Sequence, residues 1–225
     1  MLTNTPSVPV KRRRKGEQTK NLILESAIIV LAQHGVKGTT HRAIAEQAKL
    51  QLSLTTYYFK DIQALIQQAF SSNCQYLLTA RIQRWQAMLA VITTIPKAAL
   101  RTVKQRRALL EQLTDLLLAA LEDTAQNHRH QQVVEQLLLT EALVSPSLQA
   151  LTQQHYQACL KPCLALCQYF SADSAQTSTK AEILMTQIQH LEYRHLLFSP
   201  AQVNTTQARA WLQVPLAMAL SLKSP

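Results

Sequence analysis

Glycine is confined to the start of this chain. Gly16, Gly35 and Gly38 are the only three, and none occurs from Thr39 to Pro225. A glycine-free run of that length, rich in Leu, Ala and Gln, is a helix-forming run, so the expected fold class is all-α. With 225 residues, 47% of them hydrophobic, the chain can bury a substantial core in one large domain or in a small one plus a large one. No apolar run is long enough to span a bilayer: Leu109–Leu121 is interrupted by Glu111, Gln112, Thr114 and Asp115. The polar, basic N-terminus has no apolar segment behind its charges and does not read as a signal peptide. Four Cys without a zinc-like CxxC spacing fit a reducing cytoplasm better than a disulfide framework.

Charge is unevenly placed. Residues 1–60 hold six Lys and four Arg against three Glu, a net +7 of the chain's +10. Met1–Val10 is uncharged and carries two Pro, and Lys11–Arg12–Arg13–Arg14–Lys15 follows. Like charges in a row repel and rarely fold alone, so residues 1–16 are expected to be a disordered basic arm. On DNA, Arg12, Arg13 and Arg14 can contact phosphates or enter a minor groove; otherwise the run is a solubilising tail.

Residues 17–62 read as three helices. Glu17–Gln33 has Leu22, Ile23, Ala27, Val30 and Leu31 at three- and four-residue spacing, and Gly35 suits a left-handed end. His41–Ala48 is preceded by Thr40, whose hydroxyl can cap the first turn. Leu52–Tyr58 offers Ser53, Thr55, Thr56, Tyr57 and Tyr58 but no carboxylate, which suits a phosphate-lined groove. The pair is a helix-turn-helix candidate; the plain alternative is two surface helices of an ordinary helical protein.

Beyond residue 62 the chain reads as a helical bundle. Asp61 caps a long helix that carries Ile62, Leu65, Ile66, Ala69 and Phe70 and continues to Leu89, linking the small basic domain to the large one. Lys97–Arg107 is ambiguous. Helices are expected over 108–123, 131–144 and 147–170, with Pro162 bending or interrupting the last. A polar loop at 171–179 precedes helices at 180–198 and 205–222. Ile183, Leu184, Ile188 and Leu191 mark the apolar face of one; Ala208, Trp211, Leu212, Leu216 and Ala219 mark the other. These faces can pack within one chain or pair with a second copy.

The first 70 residues resemble the TetR family of bacterial transcriptional repressors. The resemblance lies in His34–Gly35, in Gly38–Thr39–Thr40–His41–Arg42–Ala43–Ile44–Ala45, and in Thr56–Tyr57–Tyr58–Phe59–Lys60 followed by Leu65. It implies an all-α homodimer, with a three-helix DNA-binding domain (17–62) before a ligand-binding and dimerisation domain (63–225). Implied DNA contacts are Thr40 and Arg42 to phosphate, and Gln51, Leu52, Ser53, Thr55 and Tyr57 toward the groove, where Gln can pair with adenine and methyls can touch thymine. Ile44 and Phe59 are implied core; of Tyr57 and Tyr58, one faces DNA and one packs. The chain departs from the family in having Lys49 where Gly is usual at the turn, Ser53 for an early Gly and Thr56 for a Tyr. Ile62 replaces a frequent Lys, which leaves Lys60 as the nearer phosphate candidate.

Cys159, Cys163 and Cys167 recur every four residues: a thiol sensor or soft-metal site, or small apolar residues facing the core. Cysteines stacked four apart are poorly placed to bridge. Glu192 and His195 match the Glu-x-x-His of helical di-iron sites, but no second copy exists, so no metal is expected. Nothing argues for catalysis or a cofactor. Trp85, Met88, Leu89, Tyr156, Cys159 and Met185 are candidates to line a pocket for a neutral or anionic hydrophobic effector, or they are core.

The expected function is a ligand-responsive, sequence-specific repressor, cytoplasmic and nucleoid-associated. Its partners are double-stranded DNA with a near-palindromic operator, a small hydrophobic effector, and a second copy bound through the last two helices. Two alternatives are a DNA-binding chromosome-organising protein and a redox sensor using the Cys159/Cys163/Cys167 stripe.

Overall fold

The computed structural model describes residues 10–171, 174–198, 202 and 204–222. Among them every regular element is helical: α1 Val10–Gly38, α2 His41–Ala48, α3 Leu52–Tyr58, α4 Ile62–Thr94, a 3-10 turn Ala99–Arg101, α5 Val103–Asn127, α6 Arg129–Glu141, α7 Pro146–Phe170, α8 Ser174–Leu197 and α9 Thr205–Ala219. They form two compact units, one up to Asn73 and one from Cys74.

The first unit is a three-helix head extended by the start of α4. Ile23, Ala27, Val30 and Leu31 of α1 meet Ile44 and Ala48 of α2, with Phe59, Leu65, Ala69 and Phe70 closing the core. Leu22, expected on the buried stripe of α1, is exposed, and Leu24 and Ile28 take its place. Gly35 breaks α1 at φ 66°, where its carbonyl accepts the Thr39 hydroxyl at 2.8 Å. Thr40 caps α2 by accepting the Ala43 amide at 3.1 Å.

The second unit packs α5, α7, α8 and α9 with the latter part of α4 around a large apolar core that includes Met88, Leu113, Leu117, Leu166, Leu184 and Leu212. Thr102 and Asn204 cap α5 and α9, and α7 runs unbroken through Pro162. Most of the apolar faces of α8 and α9 is used inside the chain: Leu184, Ile188, Leu191, Ala208, Leu212, Leu216 and Ala219 are buried, and Trp211 is half-buried.

Three expectations need correction. Residues 10–16, read as part of a disordered arm, continue α1 upward: an adjoining helix supplies the nucleus that an isolated basic run lacks. Residues 1–9 and the side chains of Lys11, Arg12 and Arg13 lie outside the described residues. Residues 174–179, read as loop, are the first turns of α8, with Thr177 buried. The boundary between the units falls further along α4 than residue 62, because Leu65, Ile66, Ala69 and Phe70 belong to the head's core.

Lys49 ends α2 in the left-handed conformation, φ 54° and ψ 40°, where its amide bonds back to Glu46 at 3.1 Å and the next amide, of Leu50, to Ala45 at 2.9 Å. A side chain at positive φ costs about 1 kcal/mol relative to glycine. Lys49→Gly is therefore expected to raise the head's stability by roughly that amount in urea denaturation, and unchanged or lower stability would contradict the strain.

Candidate functional site

The head presents one face of α3 and the start of α2. Gln51, Leu52, Ser53, Leu54, Thr56 and Tyr57 are all exposed, Tyr57 by 76%, and the helix carries no carboxylate. Arg42, Lys49 and Lys60 are exposed around it, as are Arg14 and Lys15 on α1. Tyr58 is half-buried and turned toward Gly16, while Tyr57 meets it only edge-on, with ring centroids 5.2 Å apart. Thr55 is not on this face. It is fully buried, and its hydroxyl donates to the carbonyls of Leu52 (2.8 Å) and His41 (3.4 Å), pinning α3 to α2. Its place four residues before the core Phe59 was the signal for this, since residues i and i+4 share a helix face.

The second unit holds a buried cluster of charge. Arg81 on α4 donates from both ends of its guanidinium to Glu135 on α6, at 2.6 and 2.8 Å, and to Glu192 on α8 at 2.6 Å. Arg84 reaches the other oxygen of Glu192 at 3.3 Å and Thr124 at 2.7 Å. His155 on α7 donates Nε2–H to Glu135 at 2.6 Å, and the Cys159 thiol lies 3.5 Å from Arg81. Only 5–13% of each charged side chain in the arginine–carboxylate part is exposed.

Each buried charge responds to its neighbours. Burial pushes Glu135 toward its neutral form, but the adjacent Arg81 charge, with hydrogen bonds from His155 and Arg81, holds it well below the usual carboxylate range. Burial likewise pulls His155 down; hydrogen bonds with Cys159, Cys74 and Glu135 and the Glu135 charge overcome this, and its pKa is pushed up to about 12. Arg81 is held charged, burial being outweighed by Glu192 and Glu135. With His155 protonated, three cations face two carboxylates.

Two cavities flank the cluster. The outer one, about 250 Å³, lies among α6, α7 and α8, with Glu135, His155 and Glu192 on its floor and Leu139, Tyr156 and Tyr193 among its other walls. The inner one, about 20 Å³, is bounded by Arg81, Arg84, Trp85, Leu117, Cys159 and Met185, among others. Of the expected pocket residues, Trp85, Cys159 and Met185 therefore gather at the inner cavity. Tyr156 stands in the outer one, hydrogen-bonded to Glu182, which pushes its phenol up to about 12. Met88 is buried core, and Leu89 packs half-buried against that core. Burial pushes the Cys163 thiol up, and the Cys167 thiol to about 11. Fewer thiolates make these two poor redox sensors.

Residues 23–69 match the model of bacterial regulatory proteins of the tetR family. The match covers the three-helix head and the start of α4, so the likeness to that family is shown for the head. Among curated proteins, the HTH-type transcriptional repressor KstR2 of Mycolicibacterium smegmatis is 29% identical over 134 residues, which are 60% of this chain and 52% of that one. The chain thus spans about half the length of the curated relative it matches. Solved structures of similar fold include a TetR-like transcriptional regulator from Rhodococcus sp. RHA1 (TM-score 0.59, 16% identity, 91% of this chain and 97% of that one) and a transcriptional regulator from Saccharomonospora viridis solved in complex with choline (TM-score 0.62, 18%, 88% and 95%). At these identities the likeness is one of fold alone.

The family match covers the head and does not reach the cluster. Sequence reasoning missed Arg81, Arg84, Glu135 and His155, and raised Glu192 only as half of a metal pattern. Glu192 instead faces the arginines, while His195 Nδ1 lies 2.7 Å from the Leu191 carbonyl. One signal was available: no acidic residue occurs between Asp61 and Glu111, so Arg81 and Arg84 have no local partner on an otherwise uncharged helix.

The cluster makes stability depend on pH in both directions. A histidine near pKa 12 folded and about 6.5 unfolded stabilises fully below about pH 6.5 and loses that contribution as pH rises. Glu135, depressed when folded, stabilises above about pH 4.3 and loses this as pH falls. Between pH 7 and 9, stability in urea is expected to fall by up to about 1.4 kcal/mol per unit, and His155→Gln is expected to flatten that slope. An equal slope in the variant would contradict the assignment.

Proposed function

We propose that the chain is a ligand-responsive, sequence-specific DNA-binding repressor, acting as a homodimer on a near-palindromic operator in the bacterial cytoplasm. The observation that carries this reading is the carboxylate-free face of α3, where Gln51, Leu52, Ser53 and Tyr57 stand exposed beside Arg42, Lys49 and Lys60. Hydroxyls, an amide and a ring on the second helix of such a motif suit the base edges of a major groove. Thr40 and the surrounding cations suit phosphates. Arg12, Arg13 and Arg14 add positive charge at the same end of the chain.

Dimerisation is assigned to α8 and α9. Their deep faces are used within the chain, but Ile183, Tyr193, Leu197 and Val214 remain exposed and supply apolar area for a second copy. The effector is assigned to the cavities beside Arg81, with a small hydrophobic molecule as occupant. It releases the operator to the extent that it binds the non-DNA-binding conformation more tightly.

Fluorescence anisotropy on genomic fragments tests this. Arg42→Ala is expected to weaken binding to all fragments alike and to reduce the salt dependence by about one charge. Gln51→Ala is expected to cost about 1–3 kcal/mol on the preferred site and relax its sequence. Binding of every fragment only at the non-specific level would overturn the proposal.

A further inference from the structure

The two cavities share part of their lining, and a buried carboxylate is in it. Glu192 and Gln189, three residues apart on α8, line both cavities. The Glu192 carboxylate sits in a fork of two arginines from α4, with Arg81 Nη2 at 2.6 Å from one oxygen and Arg84 Nη1 at 3.3 Å from the other. Both arginines line the inner cavity, beside Trp85 and Met185.

Three features bear on what would enter. Arg84 meets a carboxylate at a single contact, 3.3 Å from Glu192, so an anionic head group has a charged donor to gain there. The inner cavity, at about 20 Å³, holds about one water molecule, so a carboxylate head fits only where the Glu192 carboxylate gives way. The outer cavity, at about 250 Å³, is walled in part by the exposed apolar surfaces of Leu139, Tyr156 and Tyr193. Charge is therefore accommodated at the inner end and an apolar body at the outer end.

We propose that the paired cavities take an amphiphilic monocarboxylate. Its head group competes with Glu192 for the Arg81–Arg84 fork, and its apolar body fills the outer cavity. Arginine forks hold carboxylates by paired, charge-assisted hydrogen bonds, and the 3.3 Å contact of Arg84 is the weaker half of the present one. Glu192 is on α8 and the arginines are on α4, so the exchange trades a helix-to-helix tie for a ligand contact. This rests on reading the larger unit as the effector domain, but its test needs no DNA.

The experiment is calorimetry and thermal melting of the full chain with C6–C12 straight-chain carboxylates, the matching alcohols and the matching alkyltrimethylammonium ions, all below micellar concentration. Carboxylates are expected to bind and raise Tm, with the alcohols and ammonium ions at least tenfold weaker. Glu192→Gln removes the internal competitor and is expected to tighten the best carboxylate about tenfold, the effect of one charge-assisted contact. Arg84→Gln is expected to abolish the preference; Arg84→Lys, which keeps the charge without the fork, serves if the first variant does not fold. A purely structural Glu192 would lower the Tm of the free variant and leave the ligand ranking unchanged. The proposal is overturned by equal binding of alcohols and carboxylates, by a preference for the ammonium ions, by weaker carboxylate binding in Glu192→Gln, or by silence of the whole carboxylate series in both proteins. None of these outcomes touches DNA binding, which the unliganded protein reports separately.

Discussion

A guanidinium in a protein interior costs several kcal/mol unless acceptors, above all carboxylates, answer it. Arg81 is that constraint in the second unit. Its two ends are met by Glu135 from α6 and Glu192 from α8, and His155 of α7 completes the far side of Glu135. Four helices are thereby held at one point. Apolar contacts alone tolerate sliding, because one leucine packs much like another. A charged network tolerates little, because displacement leaves an unpaired charge whose cost is several kcal/mol. The Leu-rich core supplies bulk stability here, and the cluster restricts how α4, α6, α7 and α8 can be arranged.

The same network gives the second unit its polar interior. Most of the unit's buried apolar core is leucine and alanine, yet the cavities border its charged centre. A molecule entering there meets ion pairs whose partners lie on different helices, so contact with the ligand and contact between helices draw on the same groups. That is a physical route by which occupancy can bias one arrangement over another. Effector control of the proposed repressor requires no more than this within the unit.

Legibility from sequence followed the range of the interactions. The head was readable because its signals are local: Thr40 caps the helix it precedes, Gly35 takes a positive φ, and the ends of α2 and α3 fall where the spacing put them. The error at Thr55 was one of face, since a hydroxyl on a short helix suits a groove and a buried tie to the preceding helix equally well. The helical state of residues 10–16 was missed because a charge run was judged without the helix it joins. The cluster was nearly invisible. Its members are 54, 74 and 111 positions from Arg81, and no periodicity or short motif connects residues so separated. Glu192 drew notice through the nearby His195, yet its partners are arginines on another helix. The pocket residues were half found, because large side chains on apolar helices line cavities and fill cores alike; Trp85 and Met185 did the first and Met88 the second.

The central claim is that paired charge at Arg81 specifies the second unit's arrangement. A double-mutant cycle of Arg81→Met and Glu135→Leu, read by urea denaturation, tests it most directly. Each single change strands a buried charge and is predicted to cost about 3–5 kcal/mol, while the double variant loses clearly less than the sum of the two, Glu192 keeping Arg84 and His155 losing its carboxylate. Losses that simply add in the double variant would show that the two side chains act independently, and would contradict the account.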